Sequence, residues 1–226
     1  MVEAVVVEAP RVVSFRLLGG AGLGLSLPAR AVSEPLETLP RFEVSGLSGA
    51  RVSLRVGYVG EAGLRLRAAC VEAPSDGWAP GVEDIVFSLG TGVLQRAALS
   101  DLTISRFSAL SIAQRGLLLE QGLVGAGERA GEPVALSGLH LLGFEGARRE
   151  AVFCSVLCEE PTAGSACAAL VSGAELSSLV EAPPPSWFVR ALMASAERPR
   201  HAALFFGVLG CLVVAVLLWR RPRPRP

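Results

Sequence analysis

Alternation of apolar and polar positions dominates the chain up to about residue 160. Residues 12–28 run VVSFRLLGGAGLGLSLP, where Leu23, Leu25 and Leu27 alternate with small residues until Pro28, the pattern of a strand entering a turn. A short apolar stretch at Phe42–Val44 precedes two alternating runs, Arg51–Tyr58 and Leu64–Cys70. The segment Val59-Gly60-Glu61-Ala62-Gly63 joins them as a hairpin loop would. In that hairpin Arg51, Arg55, Arg65 and Arg67 alternate with Val52, Leu54, Val56, Leu64 and Leu66, which predicts one apolar face and one solvated, arginine-rich face.

Beyond the break at Pro74-Ser75-Asp76-Gly77 the period changes. Val82, Ile85, Val86, Leu89, Val93, Leu94 and Ala97 fall at helical spacing, and Glu83 and Asp84 stand where a helix dipole favours negative charge, so a helix is expected from Pro80 or Gly81 to about Leu99. Gly90 and Gly92 weaken it. Leu102–Phe107, Gly116–Gln121, Leu136–Phe144 and Ala151–Leu157 suit strands, and Ala166–Val180 suits a second helix. These elements predict an α+β fold: an antiparallel or mixed sheet of about five to seven strands with two packed helices, an α-β-α sandwich over residues 12–181 behind a short N-terminal segment, 1–11.

The strand and helix order, with GLSLPAR near the start, RLRAACVEAP closing a hairpin strand, the long helix after it, then LHLLGF and FCSVLC, resembles the PsbP-like α-β-α sandwich, named after an extrinsic protein of photosystem II, and its bacterial lipoprotein-like relatives. The resemblance implies a non-enzymatic binding or assembly module and supplies no residue to carry over. The grouped cysteines are not a hallmark of that fold.

The end of the chain has another character. APPPS opens a stiff linker over 182–201, in which Trp187 and Phe188 begin an apolar stripe suited either to a membrane surface or to packing back onto the domain. Ala202–Trp219 is an uncharged run of 18 residues. At a rise of about 1.5 Å per residue it would reach across most of a bilayer core of about 30 Å, so a C-terminal transmembrane helix is expected. Trp219, Arg220 and Arg221 suit the interface beyond it, and the prolines of the 220–226 tail stop the helix. Within the run, Ala203, Gly207, Cys211 and Ala215 recur every four residues, a small-residue stripe that permits a homodimer.

Charge sharpens the topology. All basic residues are arginine; all 21 acidic residues and 17 of the 21 arginines precede Ala202, giving that part −4 and the tail +4. The cationic tail predicts a cytoplasmic C-terminus and a domain on the extracytoplasmic, periplasmic side. The start, MVEAVVVEAPRVV, lacks the cationic n-region of a signal peptide, which implies either a true start further upstream or a cytoplasmic, tail-anchored adaptor. A mildly acidic domain carries no footprint for nucleic acid, leaving the bilayer and a protein as the expected partners.

Cysteines bear on the same choice. Cys70, Cys154, Cys158 and Cys167 form an even set outside the apolar run, and C-x3-C-x8-C reads as a disulfide-closed loop more than a zinc site. The pairing expected is Cys158 with Cys167 and Cys70 with Cys154, with unpaired buried cysteines as the alternative.

Candidate chemistry is sparse. His140 and His201 are the only histidines, so a hydrolase-type site would have to use His140, within the strand-like run LHLLG. No G-x-S-x-G elbow, H-E-x-x-H or Walker loop occurs. Glu83-Asp84 and Glu159-Glu160 are adjacent carboxylates of the kind usually solvated. No catalytic residue, metal site or cofactor is therefore expected.

Overall fold

A computed structural model describes residues 11–27, 30–35, 37, 39, 49–75, 78, 81–88, 102–146, 150–161, 164–187 and 189–191. The chain divides into two units, Met1–Ser75 with Pro80–Pro183 and Asp76–Ala79 with Pro184–Pro226, and both sheets belong to the first. In the second, Ser186 starts a helical turn, its hydroxyl accepting from the Val189 N–H at 3.3 Å, and Trp187 is 75% exposed.

The elements follow in order as β1 (Arg11–Arg16), β2 (Gly22–Leu27), β3 (Val32–Ser33), β4 (Arg51–Val59), β5 (Arg65–Ala73), α1 (residues 82–88), β6 (Leu102–Arg115), β7 (Leu118–Arg129), β8 (Glu132–Glu145), β9 (Glu150–Glu160), α2 (Ala166–Ser172), β10 (Glu175–Ser177) and β11 (Leu179–Val180). Eight strands form one antiparallel sheet in the order β3-β4-β5-β9-β8-β7-β6, with β11 pairing the end of β8. The order β1-β2-β10 makes a second, three-stranded sheet.

The core lies between them. Leu23, Leu25 and Leu27 of β2 and Cys167, Leu170 and Val171 of α2 pack with Leu66, Ala68 and Cys70 of β5, Leu141 of β8 and Val152, Cys154, Val156 and Cys158 of β9. Alternation puts these residues on one face of the large sheet. The residues between them, Ala69, Ser155 and His140 among them, face the other way, where Phe87 of α1 lies buried beside His140.

The expected α-β-α sandwich is overturned: the described fold is mainly β. The segment 166–180 forms a helix of only seven residues, then β10 and β11. A Cβ at Gly173, the C-cap, would stand 2.7 Å from Ser26 Oγ, so glycine there both ends the helix and seats it on β2. Leu176 then finds burial as the inward residue of a strand pairing β2, which outweighs helical propensity. At α1 the spacing placed Ile85 on the inner face, yet Ile85 is 60% exposed and Phe87 takes the buried position. The rest of that expected helix, like Phe42–Val44, lies outside the described residues.

The strands, conversely, run longer than expected. The strand expected over Gly116–Gln121 continues to Arg129, and Gly125 and Gly127 fit inside it because the Arg106 and Thr103 carbonyls approach within 2.7 and 2.5 Å of where a Cβ would be. Two-residue turns close the hairpins on either side, Gly116-Leu117 and Ala130-Gly131, with positive φ at Gly116, Ala130 and Gly131. At the outer edge β6 carries two bulges. The Ser105 hydroxyl donates to the Ala126 carbonyl at one and the Gln121 amide to the Leu110 carbonyl at the other, which breaks the edge into short pieces and blunts it against strand addition.

No helix among the described residues is long and apolar enough to cross a membrane. The expectation of a single-pass helix finds no support there, and the segment it fell on, Ala202–Trp219, lies outside the described residues.

Candidate functional site

Register brings three polar constellations together from distant parts of the chain. The first is at one end of the large sheet, where Arg51 stands opposite Glu72 and Glu145 opposite Glu150. Carboxylate oxygens of Glu72, Glu145 and Glu150 lie within 4.8 Å of one another, and Glu72 and Glu145 are buried. Arg51 compensates two of them, at 2.8 Å from Glu72 and 2.6 Å from Glu150. The turn between β1 and β2 supplies further donors: the Gly19 N–H to Glu72 at 3.2 Å and the Ala21 N–H to Glu145. Burial pushes the Glu145 carboxyl up, against the opposing pull of that N–H. The donor set is of the type that holds a hard cation; here arginine and backbone N–H groups use it to tie the β1–β2 turn to the sheet. Sequence gave only a faint sign of it, three glutamates each at the end of a strand-like run.

The second is an ionic ladder on the outer face. Glu34 accepts from Arg65 at 3.1 Å and from Arg67 at 2.9 Å; Arg67 lies 3.8 Å from Glu159, and Arg129 grips both oxygens of Glu159 at 2.6–2.9 Å. The expectation of a solvated arginine face fails at Arg67, whose side chain is 11% exposed beneath the segment around β3. Glu159 and Glu160 are buried as well, not solvated. A recess of 380 Å³ opens beside the ladder, lined by Val32–Pro35, Val59, Arg65 and Arg67.

The third is a row across the sheet. Ser155 of β9 pairs with His140 of β8, and His140 with Gln121 of β7. The imidazole is fully buried, its ring stacked with Phe87 at 6.2 Å between centroids and edge-on to Phe153 at 5.1 Å. Desolvation pushes its pKa down to about 3. The concave, solvent-reaching site that a hydrolase would build around His140 is not what surrounds it: the ring is packed under α1.

The low pKa has a thermodynamic consequence. Folded His140 binds its proton only near pH 3, whereas an unfolded histidine binds one near pH 6.5. Stability is therefore unaffected by this group above about pH 6.5 and falls as the pH drops from there towards 3, where the loss is complete. Urea midpoints measured across that window should fall more for the natural chain than for His140→Leu; equal falls would contradict the assignment.

The cysteines pair as expected, Cys70 with Cys154 across β5 and β9 and Cys158 with Cys167 between β9 and α2. Phe188, the stripe Ala203, Gly207, Cys211 and Ala215, and the interfacial Trp219, Arg220 and Arg221 lie outside the described residues.

No family model matches the chain, and no curated protein does. Among solved structures, LpqN, involved in cell envelope biogenesis of Mycobacterium tuberculosis, gives a TM-score of 0.40 at 13% identity, over 74% of this chain and 90% of that one. PA94 of Pseudomonas aeruginosa, a protein of unknown function and putative regulator, gives 0.26 at 15% identity, over 67% and 84%. Neither likeness is close enough to transfer a property, and a PsbP-like protein is not among these two.

Proposed function

We propose that the chain is a non-catalytic binding or assembly module that works outside the cytoplasm. The observation that carries this reading is the pair of disulfides, all four sulfurs in fully buried residues of the main core. Disulfides persist in oxidising compartments and are rare in the reducing cytoplasm. Against catalysis stands the use already made of the ionisable groups. His140 is sealed and neutral, and Glu34, Glu72 and Glu159 are engaged by arginines that hold elements together. An active site needs such groups poised towards a substrate.

A membrane-impermeant maleimide applied to intact cells making the full chain, followed by mass spectrometry, tests this. The domain cysteines should react only after reduction, and should do so in intact cells. Four thiols that react without reductant once the cells are lysed, yet are protected in intact cells, would instead place the domain in the cytoplasm, as the adaptor reading has it.

A further inference from the structure

An unmet buried donor or acceptor costs about 1–3 kcal/mol, and native proteins keep few of them. Among the described residues the buried side-chain atoms without a hydrogen-bond partner are Gln121 Oε1, both ring nitrogens of His140, Ser155 Oγ and Glu145 Oε1. All but the last belong to one row. Gln121, His140 and Ser155 are successive cross-strand partners, so their side chains stand side by side on the outer face, roughly 5 Å apart at Cβ. Phe87 and Phe153 close over the row and meet each other edge-on at 6.0 Å.

We propose that this row is the floor of a binding site for the hydroxyl groups of a small neutral polyol, with Phe87 as its cover. The hydrogen-bonding inventory selects the ligand. A neutral imidazole offers one donor and one acceptor, a serine hydroxyl offers both, and Gln121 offers its oxygen, its nitrogen being given to the Leu110 carbonyl. Mixed donors and acceptors suit a group that both gives and takes a hydrogen bond. From Ala69 through Ser155, His140 and Gln121 to Ile112 the row holds no ionisable group other than the histidine, and the next position, opposite Ala69, is Arg55, so a cation would find no countercharge. A purely apolar guest would leave the same atoms unmet. Phe153, edge-on to the histidine and left in place when the cover lifts, suits the C–H face of a polyol, a common division of labour in small-molecule sites.

With Phe87 in place these atoms have no hydrogen-bond partner from the protein, whereas lifting Phe87 to admit a hydroxyl satisfies them. The cover is thus the element that moves, and the apparent affinity is reduced by the fraction of molecules that are closed. The proposal deepens the binding-module reading without depending on its compartment. Free domain thiols would overturn the placement, and a silent His140 would overturn the site.

The test follows the ring nitrogens of His140 by long-range proton–nitrogen NMR on the full chain carrying His201→Gln, which leaves one histidine to observe. Glycerol and erythritol are titrated in turn, with benzene as the apolar comparison. Both polyols should shift the His140 nitrogens, and Phe87→Ala should tighten the apparent dissociation constant about tenfold by removing the cover. Gln121→Leu, which keeps the cover, should weaken it. Two results overturn the proposal: no polyol shift in either the natural or the Phe87→Ala background, or a shift with benzene equal to that with the polyols.

Discussion

Replacing Cys70 and Cys154 together by alanine should lower the free energy of unfolding by about 4–5 kcal/mol, and replacing Cys158 and Cys167 by about 3. The difference comes from the unfolded chain. A bridge between residues 84 apart in sequence removes far more loop-closure entropy than one between residues 9 apart. The longer bridge also joins cross-strand neighbours of β5 and β9, at the centre of the large sheet, where both residues are fully buried. Cys158 and Cys167 are equally buried, so the small core defect left by alanine adds alike to both losses and leaves the difference to loop entropy. Denaturant unfolding of the two double variants without reductant measures this. A loss for the Cys70–Cys154 pair no larger than for the other pair would show that loop entropy is not what the long bridge supplies.

Glu159→Ala should cost about 3–5 kcal/mol, because it strips the counter-charge from cations that are themselves largely out of water. The Glu159 side chain is 3% exposed, Arg129 13% and Arg67 11%, and Arg129 reaches both carboxylate oxygens. Exposed ion pairs are worth far less, since water already solvates each partner. The ladder predicts a specific non-additivity: Glu159→Leu combined with Arg129→Met should recover much of the loss, because two apolar side chains replace a pair whose desolvation was costly. A double variant as unstable as the sum of its single changes would mean that the two residues act independently.

How far the sequence could be read depends on whether a feature is local. The hairpin of β4 and β5 was legible because period-2 alternation and a glycine-bearing loop are both short-range signals. The cysteine pairing was legible because evenness and spacing left three connectivities, one of which closes a short polar loop. The second helix was misjudged because the helical spacing of Ala166–Val180 was read across Gly173, where the helix ends, and contact with β2 and β8 makes the second half two short strands. Arg65 and Arg67 looked solvated for the same reason: their covering carboxylates, Glu34 and Glu159, lie 31 to 33 residues before them or more than 90 after.

By itself the sequence determined an even set of domain cysteines, a run of strands rich in alternation and only two histidines, all properties of composition or of neighbours along the chain. Only the tertiary structure decided that the fold is mainly β, that Arg51 meets Glu72 and Glu150, and that Gln121, His140 and Ser155 share a row. Strand register makes those choices, and it is fixed by burying one face of each strand: a slip of one residue would exchange the faces and scatter every cross-strand neighbour.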